Sequence, residues 1–201
     1  MISLFIKNKR FMEYDELVSP YGKFFTVDIG ITSVNPNDII GLSIPQKELE
    51  KDTTLKRLRS YIKKKGWINK HPHSIHLIRL PNLKYTVGNK GNRRSYLANE
   101  CKLNSILAYV SVLIPEKMLV EDMYRLKKLF ADQKKFAAKA RQIRNWLEIN
   151  GKSEYEGINY KEENDLLQSL CYRENQIVKE INSILMRVAI KNDLINEREL
   201  M

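Results

Sequence analysis

The sequence predicts an α+β protein: a small mixed sheet with helices over residues 1–115, followed by an α-helical hairpin over residues 116–201. Three observations predict it. Short runs rich in β-branched and aromatic residues lie between turn signals and helical segments in the first part. From Glu116 to Ile149 there is no glycine or proline, and apolar residues recur at helical spacing. Hydrophobic residues make up 43% of the 201, enough for a packed core and against global disorder.

Each element follows from local pattern. Phe24 to Ile31 alternates as a strand, and Asn35-Pro36-Asn37-Asp38 is a turn. Ile39 to Ile44 reads as a short extended segment closed by Pro45. Asp52 or Thr53 caps a helix from about Thr54 to Lys65, with Leu55, Leu58 and Ile62 on one face and Gly66 as its stop. Trp67-Ile68 returns the chain to the core. Ile75 to Leu80 and Leu83 to Val87 form a hairpin around Pro81-Asn82. A helix then runs from about Arg93 to Cys101, with Tyr96 and Leu97 facing inward, Ala98 permitting close packing and Asn104 as its breaker. Ile106 to Ile114 is apolar enough for a buried strand.

Beyond Pro115, one long helix is expected to Ile149, with a break near Lys134. Its stripe is Leu119, Met123, Leu126, Phe130, Ala137, Ala140, Ile143 and Leu147. Asn150-Gly151 ends it, and Asn159 with Glu162 has capping-box spacing. A second helix to about residue 197 carries Leu166, Leu170, Ile177, Ile181, Leu185 and Val188. Residues 116–147 hold 9 basic and 4 acidic side chains, and the remainder from Glu148 holds 7 and 11, which suits antiparallel packing.

Composition narrows the function classes. No run of about 18 apolar residues exists to span a membrane. The N-terminal apolar patch precedes Lys7, Lys9 and Arg10, the reverse of a secretory signal. Cys101 and Cys171 lie far apart without metal-ligand spacing, Cys101 reads as core, and a reduced, cytoplasmic setting is expected. Net charge is +11, and within residues 51–94 it concentrates to 13 basic side chains against one acid, Asp52. Such a segment attracts polyanions, although a solvated basic face has the same composition. Lys56, Arg57, Arg59, Lys63, Lys64, Lys65, Lys70 and Arg79 are the candidate nucleic-acid backbone contacts.

The segment from Lys84 to Ala98 carries the chemistry. A strand enters a Gly/Asn turn and leaves as a helix, whose first turn offers unpaired N–H groups and the positive end of the dipole. Glycine lets an anion approach the backbone, and adjacent arginines supply forked donors. Gly88, Asn89, Lys90, Gly91, Asn92, Arg93, Arg94 and Ser95 are therefore the candidate phosphate or nucleotide contacts.

The order of these elements over about Phe24 to Ile114 resembles the ParB N-terminal domain and its sulfiredoxin-like relatives. The carriers are the basic helix ending Lys-Lys-Gly-Trp-Ile-Asn-Lys, the hairpin ending Lys-Tyr-Thr-Val, the Gly-Asn-Arg-Arg turn with Ala98, and the strand Ile106 to Val110. In ParB-like domains the matching Gly-Glu-Arg-Arg turn holds a nucleotide triphosphate, which implies phosphate contacts at Gly91, Asn92, Arg93 and Arg94 and a nucleoside triphosphate with Mg²⁺ as ligand. Asn92 stands where sulfiredoxins have their catalytic cysteine, so the resemblance carries no redox role. The ParB Glu-Asn-Leu-Gln-Arg segment is replaced by Ile-Pro-Glu-Lys-Met, and no helix-turn-helix follows residue 115. The pattern is that of a stand-alone ParB-like domain of the kind carried by phages, plasmids and other mobile elements.

Other groupings weigh less. His71, His73 and His76 lack a nearby carboxylate or cysteine, so a loop cluster without metal is expected. Asp28, Asp38, Asp52 and Glu100 are scattered carboxylates for a metal-dependent nuclease, with Glu100 the weak catalytic candidate. Tyr109 and Trp67 read as core, and Trp146 as a packing or dimer contact. The leading expectation is a non-catalytic or weakly catalytic DNA- or nucleotide-binding protein. The alternatives are a metal-dependent nucleotide hydrolase or nuclease at the same turn, and an interaction protein whose 116–201 hairpin binds a second copy or another protein.

Overall fold

A computed structural model describes residues 10–68, 71–150 and 160–196. Lys70, Gly151, Asn159 and the N-terminal patch up to Lys9 lie outside the described residues. The protein is mixed α+β, with a six-stranded sheet and a helical C-terminal region. By contacts the chain forms two compact units, Met1–Met118 with Ala189–Met201, and Leu119–Val188.

The sheet has strands β1 (Met12–Glu13), β2 (Phe24–Val34), β3 (Ile39–Leu42), β4 (His76–Arg79), β5 (Tyr85–Val87) and β6 (Ile106–Pro115), in the order β1-β3-β5-β4-β6-β2. The β4–β5 and β2–β6 pairs are antiparallel, and β1–β3, β3–β5 and β4–β6 are parallel. The first unit's helices are α1 (Tyr14–Val18), α2 (Gln46–Lys51), α3 (Thr53–Lys65) and α4 (Asn92–Glu100). One core joins Leu55, Tyr96 and Leu97 of α3 and α4 to Val34, Ile39, Leu77, Val87, Ile106, Ala108 and Val110 of the strands. Alternation along β6 sends the intervening residues to the other face, where Leu113 packs with Leu17, Val18, Ile78 and Leu80. The same face carries Leu107, 38% exposed, and half-buried Tyr109.

Local chemistry explains where the elements start and stop. Asp52 caps α3 by accepting from the Thr54 N–H at 2.7 Å, and Gly66 ends it at φ +78°. Gly91, at φ +108°, begins α4. That helix ends before Asn104, because Lys102 takes a left-handed conformation and the Leu103 N–H donates back to the Ala98 carbonyl. Strand β2 runs past Ile31 to Val34, through a bulge between Asp28 and Gly30.

The second unit contains α5 (Met123–Asn150) and most of α6 (Lys161–Lys191). Helix α5 is continuous through Lys134, and Glu116–Met118 is a 3₁₀ turn rather than its first turn. Buried or half-buried positions form 3-4 spaced seams: Leu126, Leu129, Gln133, Phe136, Ala140, Ile143 and Leu147 on α5, and Glu163, Leu167, Leu170, Glu174, Ile177, Ile181, Ile184 and Val188 on α6. Leu166, expected in the stripe, is 52% exposed, and Leu167 takes its place. Arg125 pairs with Glu180 and Arg187 with Asp122, both at 2.6 Å, while Trp146 meets the Tyr160 ring edge-on at 5.5 Å. These pairings make the hairpin antiparallel. Among the described residues no helix is long and apolar enough to cross a membrane.

Candidate nucleic-acid interface

Helix α3 places its charges by simple rotation. At 100° per residue, Lys63, Lys56, Ser60, Lys64, Arg57 and Tyr61 follow one another around about 160° of its circumference, opposite Leu55, Leu58 and Ile62. Lys56, Arg57, Lys63, Lys64 and Lys65 are all exposed, and none makes an ion pair among the described residues. Arg59 differs. It lies at the stripe's border and donates from Nε and Nη2 to the two carboxylate oxygens of Glu100 at 2.8 and 2.7 Å. Arg79 is 9% exposed, and its guanidinium lies 5.9 Å from the centre of the Tyr85 ring. Contrary to the sequence expectation, Arg59 is engaged by Glu100 and Arg79 is buried by the register of its strand.

The Gly88–Ser95 turn has the expected strand–turn–helix form, and most of its residues are engaged in the fold. A Cβ on Gly88 would lie 2.9 Å from His76 Nδ1, and one on Gly91 2.8 Å from the Ile75 Cα. The His76 N–H donates to the Lys90 carbonyl, and the Gly88 N–H to the His76 carbonyl. Asn92 is 6% exposed. It accepts from the Ser43 N–H and donates to Ser43 Oγ, both at 2.9 Å. Ser95 is fully buried and cannot meet a ligand. Asn89 and Lys90 remain exposed, with Asn89 Oδ1 3.1 Å from His76 Nδ1.

The two arginines diverge. Arg93 Nε donates to Asp52 at 2.7 Å, at the N-terminal end of α3, and its hydrogen bond holds the Asp52 carboxyl below the usual range. Arg94 donates to the carbonyls of Ile68 and His71 and to Ser74 Oγ, beyond the C-terminal end of α3. Its guanidinium lies 5.1 Å from the centre of the Trp67 ring, and burial pushes its pKa down. Thirteen residues of helix, about 20 Å, separate those two anchoring regions, so the expected shared guanidinium cradle is not formed.

Arg94 instead lines a cleft of about 330 Å³ at the C-terminal end of α3, with Leu58, Tyr61, Ile62, Trp67 and His71. Trp67 packs at the margin of the main core, and Tyr61 is 50% exposed.

Glu100 lies eight residues along α4 from Asn92, about 12 Å from the turn, and is held by Arg59. It does not fit as a metal ligand or base for a nucleotide there. Among the described residues no group of three or more His, Cys, Asp or Glu is placed to hold a metal. Cys101, expected in the core, is exposed just past the end of α4.

One polar network escaped the sequence reading. Ser111 Oγ donates to Asp28 Oδ1 at 2.6 Å and lies 2.8 Å from His76 Nε2. Tyr109, whose phenol is pushed up to about 12 by its hydrogen bond to Asp28 and by burial, has its ring centre 5.4 Å from that of His73 and 5.7 Å from that of His76. A lone serine in the apolar Ile106–Ile114 run was its sequence signal, since a buried hydroxyl needs a partner. Its partner Asp28 is 83 residues away. No protein-family model, no curated protein and no solved structure matches the chain.

Proposed function

We propose that this chain is a nucleic-acid-binding protein whose phosphate contact is the cationic stripe of α3. The observation that carries the reading is the set Lys56, Arg57, Lys63, Lys64 and Lys65, exposed together on one helix and without an ion pair among the described residues. Ammonium and guanidinium groups at helical spacing match a run of phosphates and release its counterions. The resemblance to ParB and sulfiredoxin-like domains, a cytoplasmic setting and carriage by a mobile element belong to the same proposal. Binding without catalysis is favoured, because Glu100 is distant from the turn and engaged.

Fluorescence anisotropy with a labelled DNA duplex over a salt series tests the stripe. Replacing Lys56, Arg57, Lys63 and Lys64 by alanine is expected to weaken binding and reduce the slope of log K against log salt by about 3–4, at roughly 0.9 per lost phosphate contact. Unchanged affinity and slope in that variant refute the reading.

A second reading keeps the turn as a nucleotide phosphate site. It is favoured by α4 starting on Gly91 with no side-chain cap on its first N–H groups. Arg93 would then have to exchange Asp52 for phosphate. Asp52→Asn is expected to strengthen nucleoside triphosphate binding in calorimetry, and weaker or absent binding by that variant rejects this reading.

A further inference from the structure

We infer that the cleft at the C-terminal end of α3 receives an unpaired base, which makes the chain's target single-stranded nucleic acid. The inference rests on the proposed function and adds a subsite to it. The lining includes the rings of Tyr61 and Trp67, the apolar side chains of Leu58 and Ile62, and Arg94 and His71. About 330 Å³ lies at the lower end of the range for small-ligand sites. Among the described residues no acidic side chain lines it.

Charge complementarity selects the occupant. Tyr61 belongs both to the cleft and to the cationic stripe, where Lys64 and Arg57 are its neighbours around the helix. Lys65 follows at the helix end. A strand whose phosphates lie on those cations therefore passes the mouth of the cleft. The half-exposed Tyr61 ring offers a face to any base, while the Trp67 ring is flanked by the Arg94 guanidinium. A base held in a duplex is stacked on its neighbours and cannot enter. An apolar peptide would fill the cleft but would leave the cationic mouth without a counter-charge.

The test uses the full chain with Trp146→Phe, which leaves Trp67 as the sole tryptophan. Three probes of equal length are compared: a mixed-sequence single strand, its duplex, and an abasic strand with the same phosphates. The single strand is expected to bind most tightly and to quench Trp67, and the abasic strand to bind without quenching. Tyr61→Ala is expected to weaken single-strand binding about 5- to 150-fold, with duplex binding retained and Tyr61→Phe restoring the affinity. Equal affinity for the three probes with no quenching overturns the base site. Where the four stripe cations are still needed for binding in that case, the phosphate contact stands without it. Absence of binding to every probe overturns both.

Discussion

Arg93 and Arg94 are neighbours in sequence with opposite employments. Arg93 makes an ion pair with Asp52, its own side chain 43% exposed, and such pairs contribute about 0–1 kcal/mol. Arg94 satisfies two main-chain carbonyls and Ser74 in a half-buried site, where charge-assisted hydrogen bonds contribute more. Arg94→Ala is therefore expected to cost about 2 kcal/mol, or roughly 4–8 °C in Tm. Arg93→Ala should cost under about 1 kcal/mol. Thermal melts followed by circular dichroism separate the two, and equal losses would contradict the assignment. Gly91 is constrained twice, by its positive φ and by the close approach of Ile75. Gly91→Ala should lower stability by at least about 1–2 kcal/mol, seen as a lower urea midpoint.

Helix α3 shows how far an element can be read before its neighbours are known. Its cap, stop and apolar face follow from Asp52, Gly66 and the spacing of Leu55, Leu58 and Ile62, all visible in the sequence. The fate of each charge does not. Arg59 and Lys63 look alike in sequence, yet α4 brings Glu100 to the first and nothing acidic to the second among the described residues. Short α1, α2 and β1 are equally hidden, since two to six residues cannot display a periodicity. The α4 turn was legible as backbone, while the diverging contacts of its arginines depend on Asp52 and on the Ile68–Ser74 loop. The shared role of Asp52 gives a pH prediction. Its carboxyl titrates below the usual range in the folded chain, so its contribution is complete above the ordinary aspartate value and is lost as pH falls through the lowered one. Asp52→Asn, which keeps a capping oxygen, should reduce the loss of stability on acidification. Denaturant midpoints between neutral pH and pH 3 for both proteins check this, and parallel curves would contradict it.

At the scale of the molecule, the proposed contacts all belong to the sheet-bearing unit, and the 3-4 seams belong to the hairpin. Ile181→Ala, at a seam position 5% exposed, should cost the hairpin about 2–4 kcal/mol. Below the melting range it should leave nucleic-acid affinity within about twofold. A large loss of affinity in well-folded protein would place part of the interface on the hairpin. The sheet's two borders are also unequal. Among the described residues β1 supplies two residues at one border, whereas β2 supplies eleven at the other. A border strand of that length is a template for the addition of a foreign strand wherever its outward N–H and C=O groups stay open. The bulge between Asp28 and Gly30 interrupts that template midway. An irregularity at such a border is the kind of feature that disfavours edge-to-edge growth into fibrils.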